Sequence, residues 1–168
     1  NAISTEHAVM ASNFAVDGDE ITMIKRLLTE IYPNASFSMV SDTYNLFNLI
    51  DNLLPQCREE IMNHNRKLLI RPDSGDIVEV AVKTVEHLYD LFPGPVNSKG
   101  YKTLDPHIGC VYGDGVTQQR AELIYVFLMN KGFAANCISF GAGSFSFNAI
   151  EEKGFLQPYT RDTFSVAI

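Results

Sequence analysis

The sequence predicts an α/β fold built on a parallel β-sheet, and two observations support this prediction. Short apolar runs alternate along the chain with longer segments whose apolar residues recur at helical spacing. The apolar runs do not alternate between apolar and polar residues, which is typical of strands buried on both faces of a parallel sheet. This rhythm of strands and helices fits either a doubly wound sheet or part of a barrel.

Four short apolar runs are the predicted strands of this sheet. They cover Ser36–Ser41, Lys67–Pro72, Ile108–Gly113 and Cys137–Gly141. The chain also begins in what reads as a strand, ahead of "TEH", and the final "DTFSVAI" is a candidate for one more. Parallel pairing needs a crossover of about a dozen residues, and the segments between the four runs are long enough to provide it.

The segments between the runs have the periodicity of amphipathic helices. We predict helices over residues 20–32, 43–54, 76–92 and 117–132. The clearest is 76–92, where Glu79 and Lys83 pair outside an apolar stripe. That stripe consists of Ile77, Ala81, Val85, Leu88 and Phe92.

The composition is that of one ordinary globular domain. The chain has 168 residues, of which 46% are hydrophobic and 20% are charged, and this is enough to bury one sizeable core. No apolar run approaches the roughly 18 residues of a membrane span. The N-terminus also lacks the basic end and apolar centre of a signal peptide. We therefore expect no membrane association and a cytoplasmic location.

The net charge and the cysteine content argue against nucleic-acid binding and against a zinc site. The formal net charge is −7 and no Lys/Arg cluster offsets it, so nucleic acid is not expected as a partner. Cys57, Cys110 and Cys137 lie in apolar surroundings without short pairing. A zinc site needs about four convergent ligands. We expect these cysteines to be the reduced, buried thiols of a cytosolic protein.

Each predicted strand ends in charged or glycine-rich residues. These residues are Glu6 with His7, then Asp42, Arg71 with Asp73, Gly113 with Asp114, and finally Gly143 with Ser144 in "FGAGS". In parallel sheets and barrels, ligands bind at the carboxyl ends of the strands. We therefore expect these groups to converge on one edge of the sheet.

Most of these clusters also have a local explanation. The "EH" pair could be a surface pair, and Asp42 could be the N-cap of the helix that follows it. The run "RPDSGD" is rich in turn formers and could be a turn plus a helix start, and the glycine motifs could be tight turns. Arg71 is the exception, because an arginine at the edge of a buried strand needs an anionic partner. That partner could be Asp73, Asp114 or a ligand.

Taken together, the clusters suit a phosphorylated sugar. Carboxylates accept hydrogen bonds from ribose hydroxyls, and they can hold Mg²⁺ on a diphosphate. The guanidinium of Arg71 can form paired hydrogen bonds to phosphate or bond to an amide carbonyl. Glycine-rich backbone lets N–H groups approach a phosphate closely.

Five motifs occur in the same order as in the nicotinate and nicotinamide phosphoribosyltransferase family. They are "SDTYN", "IRPDSGD", "FPGPVNSKGYKTLDPHIGCVYGDGV", "ISFGAGS" and "YTRD". The chain resembles this family from about Ile3 to Asp162. The resemblance implies an α/β fold that is part of an irregular TIM-like barrel. It also implies transfer of phosphoribosyl from phosphoribosyl pyrophosphate to nicotinamide, forming nicotinamide mononucleotide in NAD salvage.

The resemblance assigns roles to five catalytic candidates. His7 matches the histidine that the family phosphorylates with ATP, and Asp42 would lie near it and orient it. Arg71 would contact the nicotinamide and ribose side. Asp73 and Asp114 would bind ribose hydroxyls or the metal-bound diphosphate.

The resemblance also implies a set of residues that bind substrate and phosphate. Backbone at Gly113, Gly143 and Ser144 would face the sugar and its 5′-phosphate, and Arg161 in "YTRD" would complete the phosphate site. Glu6, beside the histidine, belongs to the same substrate-binding set.

The same resemblance implies the cofactors, the partners and the part of the family's fold that this chain covers. Mg²⁺ would be held through the diphosphate rather than by ligands from the chain, and ATP would be the cosubstrate that phosphorylates the histidine. The partners would be nicotinamide, phosphoribosyl pyrophosphate and a second copy of the parent protein. Residues 1–168 would form a single partial barrel domain, with the family's N-terminal domain and last strands outside it. On that interpretation the chain alone has little or no transferase activity.

Three alternatives remain open from the sequence. A nicotinate-specific enzyme is a close sibling, although the resemblance favours the amide-specific branch through "RPDSGD" together with "NSKGYK". A non-catalytic module that binds a phosphoribosyl ligand is favoured by Ser144, where the family usually continues with glycine, and by a long segment between Ser144 and Tyr159. Another barrel enzyme that acts on a phosphosugar would also satisfy the pattern of strand ends.

Overall fold

A computed structural model describes residues 3–113 and 115–141, together with the backbone of residues 149–152 and 155–158. The strands in these ranges are β1 (Ile3–Ser4), β2 (Phe37–Val40), β3 (Leu68–Arg71), β4 (Pro93–Val96), β5 (Lys102–Leu104), β6 (Ile108–Tyr112), β7 (Ile138–Phe140), β8 (Ala149–Glu152) and β9 (Phe155–Pro158). The α-helices are α1 (His7–Asp17), α2 (Glu20–Arg26), α3 (Leu46–Asn48), α4 (Arg58–Asn63), α5 (Ile77–Leu91) and α6 (Gln118–Asn130).

Five of the strands form one parallel sheet in the order β1-β2-β3-β6-β7. Each strand of this sheet lies beside the next sheet strand along the chain, and every pairing is parallel. All four residues of β2 are buried, as expected for an apolar strand covered on both faces. The predicted α/β class and the four predicted strands, which are β2, β3, β6 and β7, are therefore confirmed.

The helices follow the predicted pattern with three differences, the first of which is that α4 (Arg58–Asn63) was not predicted. Helix α2 continues through a π-helical turn at Leu27–Ile31, and α5 and α6 lie within the predicted ranges 76–92 and 117–132. The predicted helix 43–54 begins later, at Leu46, where the side chain of Asn45 caps it. Helix α1 was not predicted either. Met10 is its one buried residue, and its apolar positions form no clear stripe along the helix.

A hairpin of β4 and β5 lies ahead of β6 and was not predicted either. The close approach of its two strands depends on Gly94, because a Cβ atom at this position would overlap the carbonyl of Leu104. The hairpin holds the "NSKGYK" motif and bonds through Lys102 to Gly132 and Ala134, which precede β7. The motif therefore lies at the amino edge of the sheet, away from the residues that follow the carboxyl ends of the strands.

The core lies between the sheet and the helices that cover it. Its most deeply buried members come from strands and helices alike, and include Ile24, Leu54, Ile70, Val85 and Ile108. Cys57, Cys110 and Cys137 are buried and unpaired, as expected. None of the helices in the described ranges has the length and apolar character needed to cross a membrane. The last predicted strand, residues 162–168, lies outside the described residues.

Candidate functional site

The carboxyl ends of the first strands bring the predicted charged residues together. Because β1, β2, β3 and β6 are parallel neighbours, the residues that follow them meet at one edge of the sheet. Thr5 anchors this edge: its amide donates to Ser38, and its hydroxyl accepts a 3.0 Å hydrogen bond from the amide of Val40. The chain then turns into α1, so that His7 is the first residue of a helix.

His7 faces the ends of both β2 and β3. Its Nδ1 lies 3.0 Å from the hydroxyl of Thr43. Its Nε2 lies 3.6 Å from Asp73 Oδ2 and 3.9 Å from Asp42 Oδ1. The side chain is 48% exposed, whereas that of Asp42 is 6% exposed. The ring is thus accessible on one side and faces two carboxylates on the other.

Asp42 is not the helix N-cap that its position suggested, since Asn45 caps α3. Its Oδ2 accepts hydrogen bonds from the amide of Asp73 at 2.8 Å and from the hydroxyl of Ser74. Its Oδ1 is buried and finds no hydrogen-bond partner among the described residues. A buried carboxylate oxygen of this kind is costly unless something charged or protic pairs with it. The imidazole of His7 lies on this side, with its Nε2 3.9 Å from Asp42 Oδ1.

Arg71 finds its anionic partners within the site. Its Nη2 lies 3.0 Å from Glu6 Oε1 and donates a 2.6 Å hydrogen bond to the carbonyl of Thr5. Its Nη1 lies 3.5 Å from Asp73 Oδ1. The side chain is only 12% exposed, and its Nε has no partner within the described ranges. The "EH" pair is thus no plain surface pair, because Glu6 contacts the last residue of β3 and His7 contacts residues that follow β2 and β3.

The loop "RPDSGD" is both a turn and a part of the site. Gly75 has a φ of 83°, which only glycine adopts without strain, and the carboxylate of Asp76 caps α5 through the amides of Val78 and Glu79. The hydroxyl of Tyr112 at the end of β6 donates a 3.0 Å hydrogen bond to the carbonyl of Ser74. The local explanation of this motif is therefore correct but incomplete.

Gly113 lies against the guanidinium of the site. A Cβ atom on Gly113 would stand 3.5 Å from Nη1 of Arg71, and a Cβ atom on Gly141 would stand 3.2 Å from Cα of Gly113. The amide of Gly141 donates to the carbonyl of Tyr112 at 2.8 Å. Glycines at the ends of β6 and β7 therefore bring two backbone segments close together beside Arg71.

The structure thus brings together six predicted residues, namely Glu6, His7, Asp42, Arg71, Asp73 and Gly113. Asp114, Gly143, Ser144 and Arg161 lie outside the described residues. Sequence reasoning missed Thr5, Thr43, Ser74 and Tyr112. Their positions directly after strands, or within the quoted motifs, were the available signal.

The charge of this cluster limits what it can bind. Glu6, Asp42 and Asp73 supply three carboxylates, against one guanidinium and one imidazole. Such a cluster suits hydroxyl donors and groups that carry or develop positive charge. In the described part of the chain, no group of three or more His, Cys, Asp or Glu side chains could hold a metal ion.

Comparisons with known proteins show which family this chain resembles. The family model described as the nicotinate phosphoribosyltransferase (NAPRTase) family matches residues 5–160. A nicotinamide phosphoribosyltransferase of Mycoplasma pneumoniae is 34% identical over 94% of this chain and 38% of its own length. One of Acinetobacter baylyi is 33% identical over 98% of this chain and 34% of its own length, and one of Mycoplasma genitalium is 31% identical.

The chain spans little more than a third of the length of these curated relatives. The family match nevertheless covers nearly all of the chain, including every residue that the structure places in the site. The chain therefore belongs to the nicotinate phosphoribosyltransferase family.

Proposed function

We propose that the protein transfers phosphoribosyl from phosphoribosyl pyrophosphate to nicotinamide, forming nicotinamide mononucleotide and pyrophosphate in NAD salvage. The observation that supports this most is the meeting of His7, Asp42, Arg71 and Asp73 at the carboxyl edge of the sheet, in a chain of this family. The curated relatives named above share the name nicotinamide phosphoribosyltransferase.

The charges of the site fit the chemistry of this transfer. The bond between ribose C1 and pyrophosphate breaks, a bond between C1 and the pyridine nitrogen forms, and C1 develops positive charge in between. Asp73, which is 22% exposed, can accept hydrogen bonds from ribose hydroxyls and stabilise that charge. Arg71 has an unpartnered Nε and could donate it to the amide carbonyl of nicotinamide or to an anionic oxygen. Asp114 is proposed to act with Asp73.

His7 is proposed to accept the γ-phosphoryl group of ATP. In this step a P–N bond to the imidazole forms, the bond to ADP breaks, and later hydrolysis of the phosphohistidine drives the transfer. The half-exposed ring supports this proposal, because a nucleotide can reach it from solvent. The neighbouring carboxylate of Asp42 can stabilise an imidazole that carries positive charge.

Magnesium is proposed to be carried by the diphosphate of the substrate. The described residues do not form a protein-only metal site. Mg²⁺ commonly binds through one or two carboxylates together with substrate phosphates. The acidic cluster and the proposed anionic substrate are compatible only if positive charge accompanies the phosphates, and this supports a magnesium complex as the true substrate. Gly113, Gly143, Ser144 and Arg161 are proposed to receive the 5′-phosphate.

The proposal also covers the architecture, the oligomeric state and the cellular location of the parent protein. We propose that the sheet is part of a TIM-like barrel, because its strands follow one another in chain order with no reversal, whereas doubly wound sheets reverse at a switch point. We also propose that the parent protein is a cytoplasmic homodimer. Apart from the strand order, which supports the barrel, both proposals rest on the family resemblance.

The function is tested with Arg71→Lys in the whole protein. Lysine keeps the charge but cannot make the paired contacts of a guanidinium, so nicotinamide mononucleotide formation, followed by chromatography, should fall about 100-fold or more. Arg58→Lys is the matched control, since Arg58 lies on α4 and contacts Phe92 and the carbonyl of Leu91 instead. Full activity of the Arg71 variant would overturn its assigned role, and an inactive wild-type protein would overturn the function.

A nicotinate-specific enzyme is the second candidate, because the family model is described by nicotinate. Measuring kcat/KM of the whole protein for nicotinamide and for nicotinic acid separates the two candidates. We expect the amide to be preferred, and a preference for the acid would reverse the assignment. Tight binding of phosphoribosyl pyrophosphate without turnover of either base would favour a non-catalytic module instead.

A further inference from the structure

We propose that Thr43 is a positioning residue that fixes the imidazole of His7 with one nitrogen directed at the carboxylates of Asp42 and Asp73. This inference rests on the proposed function, in which the ring of His7 accepts a phosphoryl group. It assigns a role to a residue that sequence reasoning passed over.

The hydrogen bond between His7 and Thr43 joins the ends of two strands. His7 follows β1 and Thr43 follows β2, and the 3.0 Å contact joins Nδ1 to Oγ1 across 36 positions of sequence. The His7 side chain is 48% exposed, so packing alone does not hold the ring in one orientation. A directional bond to a partly buried hydroxyl can do so.

The carboxylates on the other side of the ring attract it without fixing its geometry. Nε2 lies 3.6 Å from Asp73 and 3.9 Å from Asp42, which is longer than a hydrogen bond. Coulomb attraction at these distances depends weakly on angle. The hydrogen bond to Thr43 therefore sets the orientation of the ring plane.

The hydroxyl can act as donor or acceptor, and in either role it holds the ring in one orientation. The hydrogen bond at one imidazole nitrogen determines which state the other nitrogen presents. A half-turn of the ring about the Cβ–Cγ bond would put Cδ2 in the place of Nδ1 and Cε1 in the place of Nε2, so that a carbon atom would face the carboxylates. Without the hydroxyl, this half-turn costs less, and we expect only a fraction of the molecules to present the reactive arrangement.

The experiment compares Thr43→Val, Thr43→Ser and the wild-type whole protein. Phosphoryl transfer from γ-labelled ATP to His7 and formation of nicotinamide mononucleotide are both measured. We expect the valine variant to lose roughly 10-fold in the rate of phosphohistidine formation, as for one lost hydrogen bond, and the serine variant to retain most of it. Thr29→Val is the matched control, because the hydroxyl of Thr29 donates to the carbonyl of Lys25 within one helical segment, away from His7.

Ring orientation is also measured without activity. The ring nitrogens are observed in the whole protein labelled with ¹⁵N-histidine, and His7→Asn identifies the signals of His7. Thr43→Val should change the ring nitrogen shifts of His7, whereas Thr43→Ser and Thr29→Val should not. Unchanged shifts and rates in Thr43→Val, or equal impairment of the serine and valine variants, would overturn the inference. A wild-type protein that neither phosphorylates His7 nor forms product would overturn the proposed function, while the shifts would still test the positioning.

Discussion

At the scale of single residues, Asp42 connects the two halves of the site. One of its oxygens holds the amide of Asp73 and the hydroxyl of Ser74, and the other is buried beside His7. This side chain therefore orders the loop after β3 and places negative charge beside the imidazole at the same time. The first task needs only an oxygen that accepts hydrogen bonds, whereas the second needs the charge of a carboxylate.

Replacing Asp42 with asparagine separates these two tasks. The amide oxygen can still accept from Asp73 and Ser74, whereas the charge near His7 is lost, so we expect a stable protein whose ATP-dependent activity falls roughly 100-fold or more. The measurement is product formation with and without ATP, beside thermal unfolding. Asp51→Asn is the control, because Asp51 forms a comparable pair with His87 on the surface. Equal losses in both variants would contradict the assigned role.

A buried thiol gives a second prediction at this scale. Burial raises the pKa of Cys57 to about 11, from an ordinary value of 9.0. The unfolded chain therefore releases this proton first, and the associated stability is present below about pH 9 and is lost as the pH rises toward 11. Urea unfolding of the wild type and of Cys57→Ala from pH 8 to pH 11 measures this. The stability of the wild type should decline more steeply, and parallel declines would contradict the prediction.

At the scale of elements, the hairpin of β4 and β5 depends on one glycine. A Cβ atom at Gly94 would overlap the Leu104 carbonyl, and because this obstacle is backbone it cannot move aside easily. We expect Gly94→Ala to lower the free energy of unfolding by about 3 kcal/mol, as measured by denaturant titration. Gly100→Ala in the same hairpin meets open space and should cost about 1 kcal/mol, through its φ of 84° alone. Equal costs would show that the close approach is not limiting.

At the scale of the whole molecule, we expect local stability to decrease from the centre of the five-stranded sheet toward its edge at β1. Strand β3 is paired on both sides and is largely buried, whereas β1 is a two-residue strand with exposed residues and one pairing partner. We expect the amides of Leu68 and Ile70 to exchange only through global unfolding and those of β1 much faster. Hydrogen exchange followed by mass spectrometry or NMR measures this. Equal protection of β1 and β3 would contradict the gradient.

Features of the fold and the site could be predicted from the sequence when they depend on residues close together in the chain, and could not when they depend on residues far apart. Apolar runs and stripes predicted β2, β3, β6, β7 and the long helices, because burial of a strand or a helix face is recorded in consecutive residues. Helix α1 and the β4–β5 hairpin were missed, since neither has a periodic apolar pattern and the hairpin depends on a close backbone contact. The N-cap interpretation of Asp42 failed for a related reason, because its true partners, Asp73 and Ser74, lie about 30 positions away.

The sequence by itself determined the fold class, the family and the set of charged residues that follow the strands. These depend on local patterns and on ordered motifs, which one chain displays directly. The tertiary structure alone decided which of these residues meet: Arg71 with Glu6, Asp42 with the loop after β3, and His7 with Thr43. The physical reason is that parallel pairing brings together the ends of strands that are distant in sequence, and neither the register nor the direction of a side chain is recorded in composition or spacing.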